Sequence, residues 1–145
     1  MKKGKVVNSE AELKKILEEA KVIAIVGLSA KPERDSHKVA RYLKENGYKI
    51  IPVNPVEDEI LGEKVVRSLD EIDGPVDIVD VFRKPDQVMP HAEEAVRIGA
   101  KVFWMQLGIE NQDAAALLND AGLDVIMNRC TKVDYESFFK KNILV

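Results

Sequence analysis

Five short apolar runs constrain this chain more than any other feature: VIAIVG (22–27), YKIIPVNP (48–55), VDIVDVF (76–82), KVFWMQLG (101–108) and LDVIM (123–127). They are rich in β-branched residues, nearly continuous in their apolar character and too short for helices, the pattern of strands buried on both faces. The segments between them carry helical signals. From Ser36, Val39, Ala40 and Leu43 fall on one helical face before Asn46-Gly47 closes the segment. A helix from about Asp86 to Ile98 ends at Gly99, with Pro90 early enough to be tolerated, and another starts near Asn111 and closes at Gly122.

Strands alternating with helices at short intervals imply parallel pairing and right-handed crossovers. The expected fold is therefore α/β: a Rossmann-like, doubly wound parallel sheet in a three-layer α/β/α arrangement, within a single domain. At the N-terminal side, Ser9 and Glu12 form a capping-box pattern ahead of Leu13, Ile16, Leu17 and Ala20, which predicts a helix over 10–20 lying on the outside. The segment 57–66 predicts a turn around Gly62 and a short strand at Lys64–Val66. Ser68 and Glu71 repeat the capping-box pattern and predict a short helix before Gly74-Pro75, and a last helix is predicted over Val133–Lys141.

Length and apolar content, 145 residues at 46% hydrophobic, match one compact domain with a full core. The net charge of -3, with basic and acidic residues mixed along the chain, offers no footprint for nucleic acid and no polybasic membrane patch. No apolar run reaches the ~18 residues of a membrane span, and MKKGKVV lacks the apolar core of a signal peptide, so a cytoplasmic location is expected. One cysteine, Cys130, excludes an intrachain disulfide, and with His37 and His91 as the only histidines no metal-ligand spacing exists.

In a doubly wound sheet the ligand sits outside the carboxyl ends of the strands, beside the first strand. Five segments converge there: Gly27–Ser36, Val53–Pro55, Phe82–Lys84, Gln106–Gly108 and Asn128–Thr131. The first is a strand–loop–helix unit whose backbone N–H groups suit a phosphate. It lacks the dinucleotide pattern G-x-G-x-x-G, since Leu28, Ser29 and Ala30 follow Gly27, and the second strand ends in Val53-Asn54-Pro55 without the carboxylate that reads an adenosine ribose. Lys31, Arg34, Ser36 and His37 give this loop more positive and hydrogen-bonding character than a pyrophosphate needs, although Lys31 and Arg34 equally suit an ordinary solvated loop.

No catalytic centre is evident. Ser29 does not sit in G-x-S-x-G, because Lys31 takes the place of the last glycine. Both histidines are read as solvated residues, and Cys130 as a buried, inert thiol rather than one poised for a mixed disulfide. Asp80 is a candidate buried carboxylate, Trp104 and Met105 are assigned to opposite core faces, and Phe82 is placed against the ligand slot.

Together VGLSAKPERDSHKVARYLKENGYKIIPVNP, VDVFR, FWMQLG and MNRC resemble the small single-domain CoA-binding proteins, relatives of the CoA-binding N-terminal domain of the succinyl-CoA synthetase α subunit. The resemblance covers about Val22 to Phe139 and implies that CoA lies across the strand ends. By position it implies that Gly27, Leu28, Ser29, Ala30, Lys31, Arg34 and Ser36 hold the diphosphate or ribose phosphate. Val53, Asn54 and Pro55 would flank the adenosine, Phe82 and Arg83 would meet the pantetheine arm or a phosphate, and Gln106 and Leu107 would lie further along the slot. Asn128 and Thr131 depart from the Asp and Pro that the small family commonly shows around Arg-Cys.

The implied function is binding of CoA or an acyl-CoA, in a regulatory or carrier role, with self-association into a homo-oligomer left open. Two other classes stay in play: a nucleotide-dependent oxidoreductase or partner-requiring acyl-CoA ligase fragment, and a structural or partner-binding domain whose slot stays empty.

Overall fold

A computed structural model describes residues 2–140. Ser9 caps α1 (Glu10–Glu19), its Oγ accepting the Glu12 N–H at 3.4 Å, and Leu13 and Leu17 bury one side of this helix. Then follow β1 (Val22–Val26), α2 (Asp35–Glu45), β2 (Lys49–Val53), β3 (Glu59–Ile60), β4 (Glu63–Lys64), β5 (Ile78–Val81), α3 (Met89–Arg97), β6 (Val102–Met105), α4 (Gln112–Asp120), β7 (Asp124–Ile126) and α5 (Thr131–Phe139). Asn111 caps α4 by accepting the Ala114 N–H at 2.9 Å.

The main sheet has the order β2-β1-β5-β6-β7 with every pair parallel. Successive crossovers leave β1 in opposite directions, so the switch point lies between β1 and β5, where the chain must leave a crevice at the carboxyl ends. Strand alternation sorts the core into two layers. Ile23, Ile25, Ile78, Trp104 and Ile126 pack beneath α1, α2 and α5, while Ala24, Val26, Val79, Phe103 and Met105 pack beneath α3 and α4. Trp104 and Met105 thus face opposite layers, and the same alternation sends Asp80 into the layer under α5.

The sheet's two outer strands gain single-residue partners. Beside β7, the Val7 N–H donates to the Val125 carbonyl at 2.8 Å and the Val125 N–H to the Lys5 carbonyl at 2.9 Å. Gly4 permits this approach, because a Cβ there would overlap the Leu123 carbonyl. Beside β2, Val66 bridges Val53.

Four local expectations need correction. The segment 57–66 forms a hairpin, β3 to β4, rather than a turn and one strand; Lys64 lies in β4 and Val66 makes only the bridge to Val53. Its turn places both Leu61 (φ 55) and Gly62 (φ 76) in the left-handed region, as a two-residue hairpin requires. The expected short helix is a single 3-10 turn, Leu69–Glu71, and Ser68 makes no capping bond; Glu71 instead accepts the Arg67 N–H at 2.9 Å. The helix expected from Asp86 is divided into a 3-10 turn at Pro85–Gln87 and α3, with Pro90 in the first turn of α3. The last helix starts at Thr131 rather than Val133; its expected end at Lys141 lies outside the described residues.

Candidate functional site

Gly27 ends β1 at φ 82, and a Cβ at this position would overlap the Phe82 carbonyl of the neighbouring strand end. The turn that follows is braced through both backbone polar groups of one residue, Ser29. Ser36 Oγ accepts the Ser29 N–H at 3.0 Å, and His37 Nδ1 meets the Ser29 carbonyl at 2.9 Å, which makes that nitrogen the donor. Ser29 Oγ in turn accepts the Lys31 N–H at 3.0 Å. His37 is buried, so it is a brace of the loop rather than the solvated side chain expected from sequence, and sequence reasoning had no signal for its distant target.

Ser36 is thus committed to the loop, its hydroxyl accepting from the backbone. Leu28 is fully buried in the core, backbone included. The N–H groups of Leu28 and Ala30 have no acceptor among the described residues, and no side chain caps the start of α2. Lys31 and Arg34 are exposed and form no ion pair among the described residues. Arg83 lies under the same turn, its Cδ 3.2 Å from where a Gly27 Cβ would stand, and its Nε is buried without a hydrogen-bond partner among the described residues. Positive charge and free donors therefore converge on one preformed turn.

The second strand end is tied to the first. Asn54 Nδ2 donates to the Leu28 carbonyl at 2.9 Å, while Asn54 Oδ1 accepts the N–H groups of Val56 at 2.7 Å and Glu57 at 2.9 Å. The Val53 side chain is in the core and its carbonyl accepts the Gly27 N–H at 3.1 Å, whereas Pro55 is exposed. Asn54 is thus a clamp between two loops. Asn54→Ala is expected to lower stability by about 1–3 kcal/mol, because it leaves a carbonyl and two N–H groups without this partner. Urea denaturation checks this, and an unchanged midpoint would exclude the clamp.

A cleft of 280 Å³ continues from the first turn of α2 to the start of α5. Asp35, Lys38 and Val39 form one wall, Phe82 and Gln106 the floor, and Leu107, Ile109, Cys130, Lys132 and Val133 the far side. Four of the five expected segments meet here; Val53–Pro55 stays outside the lining and reaches the site through Asn54. A larger hollow of 500 Å³ lies at the amino ends of the strands, among Lys2, Lys3, Lys5, Lys15, Glu12 and Asp124. Its charges neutralise one another in part, through Lys3 with Asp120 at 3.2 Å and Lys5 with Glu12.

Beneath the cleft floor is a closed polar triad. Gln106 Nε2 donates to Asp80 Oδ1 at 2.6 Å and lies 2.8 Å from Thr131 Oγ1, which donates to Asp80 Oδ2 at 2.9 Å. All three residues are buried. Burial pushes the Asp80 carboxyl up to about 7, against the opposing pull of the Gln106 and Thr131 hydrogen bonds. The Gln106 amide therefore faces inward and holds the end of β6 to α5.

The last corner is also rigid. Arg129 forms a two-pronged pair with Asp134, at 2.7 and 2.9 Å, and its carbonyl accepts the Trp104 indole N–H at 2.8 Å. Asn128, at φ 61, accepts the Gly108 N–H at 2.6 Å. Cys130 stands at the N-cap position of α5 without a side-chain capping bond and is half-buried in the cleft wall, with its thiol pushed up by burial. Among the described residues no group of three potential metal ligands occurs, and no helix is long and apolar enough to cross a membrane.

Known proteins share much of this sequence and fold. Over 125 residues the chain is 52% identical to the uncharacterized protein YneT of Bacillus subtilis (strain 168), covering 86% of this chain and 93% of that protein. It is 42% identical over 57 residues to the acetate–CoA ligase [ADP-forming] II subunit alpha of Pyrococcus furiosus, a match covering 39% of this chain and 12% of the subunit. A solved structure of a hypothetical protein from Pyrococcus horikoshii OT3 superposes with a TM-score of 0.88 at 38% identity, covering 95% of this chain and 99% of that one. Residues 21–136, from the start of β1 into α5, match the family described as CoA binding domain, and the chain belongs to that family.

Proposed function

We propose that residues 1–145 act as one CoA-binding domain that holds CoA or an acyl-CoA, with no catalytic step of its own, in a regulatory or carrier role in the cytoplasm. The observation that carries this reading is the braced turn after Gly27. Its free Ala30 N–H, the uncapped start of α2 and the unpartnered Arg83 Nε all favour anionic phosphate. In this reading Gly27 and Leu28 shape the turn, Ala30 supplies a backbone N–H, Ser29, Ser36 and Asn54 keep the turn in place, and Lys31 and Arg34 reach phosphate from solvent. The adenosine lies against Val53 and Pro55. Phe82, Arg83, Gln106 and Leu107 then border the path of the pantetheine arm into the cleft.

Calorimetric titration with CoA, NAD and NADP tests the proposal. CoA is expected to bind alone, and binding of NAD without CoA would overturn it. Replacing Lys31 and Arg34 together with alanine is expected to weaken CoA binding roughly tenfold at low salt and to flatten its salt dependence, since exposed charges act through screened attraction. Unchanged affinity would remove both side chains from the phosphate site.

A second reading has one specific support, the partial match to an acetate–CoA ligase subunit. Here the chain supplies the CoA-binding part of an assembly whose chemistry resides on a partner chain. Copurification with such a subunit, together with acyl-CoA turnover by the pair, would favour it.

A further inference from the structure

We propose that the cleft between α2 and α5 receives the acyl group of a short-chain acyl-CoA. This rests on the CoA-binding reading above and specifies which form of the ligand the site prefers. The first turn of α2 both closes the phosphate-facing loop and opens the cleft, so a ligand anchored by its phosphates directs its distal end there.

That end meets hydrocarbon. Val39, Phe82, Leu107, Ile109 and Val133 line the cleft, and Leu107 and Val133 are 70% and 58% exposed. Two large apolar side chains on the rim of one hollow leave surface that an acyl chain would cover.

Of the polar groups in the same walls, Asp35 and Lys38 are exposed and charged where the cleft adjoins the first turn of α2, and the others are engaged or neutral. The Gln106 amide is held by Asp80 and Thr131, and the Lys132 ammonium lies 5.4 Å from the centre of the Tyr42 ring, leaving its alkyl stem to the cleft. Burial keeps the Cys130 thiol protonated, so it adds a soft apolar wall rather than a nucleophile that would cleave a thioester. At 280 Å³ the cleft is just below the usual range for a drug-sized ligand, roughly 300–1,000 Å³, and suits a chain of few carbons.

The test measures dissociation constants of the full chain for CoA and for acetyl-, butyryl-, hexanoyl- and palmitoyl-CoA. Affinity is expected to rise up to about fourfold per methylene over the short chains and to gain nothing further at palmitoyl. Leu107→Ser and Val133→Ser, both at exposed positions, are expected to flatten the rise.

If CoA binds as tightly as butyryl- and hexanoyl-CoA, the acyl proposal fails while CoA binding stands. If neither CoA nor any thioester binds, both fail. A gain continuing to palmitoyl, or a series unchanged in both serine variants, also overturns the proposal.

Discussion

Gly27→Ala is expected to destabilise the chain by about 2–5 kcal/mol and to abolish CoA binding. Two separate penalties act at this position. An L side chain at φ 82 costs ~1–2 kcal/mol. The added Cβ would also overlap the Phe82 carbonyl, which is backbone and cannot swing aside; it accepts no relief short of separating β1 from β5 or moving the turn. Forced overpacking of this sort typically adds ~1–3 kcal/mol. Any escape displaces Ser29 from Ser36 and His37, so the binding loss should exceed what the stability loss alone produces. Gly99→Ala provides the control: it has a similar φ of 69 but nothing within 4 Å, so only the conformational penalty applies. Denaturation and CoA titration of both variants check the result, and equal losses would remove the Phe82 contact from the explanation.

Asp80 should give the chain an unusual acid preference. Its folded-state carboxyl titrates at about 7, against 3.8 for the free group, so between these values the folded chain binds a proton that the unfolded chain has released. The contribution of Asp80 to stability is therefore fully present below pH 3.8 and is lost as pH rises to about 7. The span amounts to roughly 4 kcal/mol at 1.36 kcal/mol per unit. Asp80→Asn keeps the shape and removes the titration. Relative to the parent chain, it is expected to gain stability progressively from pH 4 to pH 8, as measured by urea unfolding across that range. Parallel pH profiles would refute the assignment. Because Thr131 and Gln106 both bond Asp80, the same experiment reports on the joint that holds α5 against β6.

The strands were legible because their burial leaves a local trace. VIAIV and VFWM are apolar at consecutive positions since helices cover both faces of the sheet, and Ser9 and Asn111 mark helix starts through bonds only three residues long. The hairpin β3–β4 left no such trace: two-residue strands have no periodicity, and Leu61 is not a residue type that announces a left-handed turn. Cys130 likewise is not a usual helix cap, which concealed the true start of α5. Four of the five segments expected at the strand ends line one cleft, but the direction of their side chains was not legible. Gln106 points to Asp80 and Thr131, 26 and 25 residues away, and Asn54 points to Leu28, also 26 away. Those orientations are set by packing between crossovers, which no local pattern encodes.

The single-residue partners beside β7 and β2 bear on how copies of this chain can meet. A parallel sheet whose outer strands carried open rows of N–H and C=O groups would invite strand addition and aggregation. Here the backbone of Lys5–Val7 occupies part of one border and Val66 part of the other. Pairing of copies through a continuous intermolecular sheet is thereby blunted on both sides. The short segment before α1 acts in this respect as a guard against polymerisation, anchored at Gly4 by an approach that no other residue type permits.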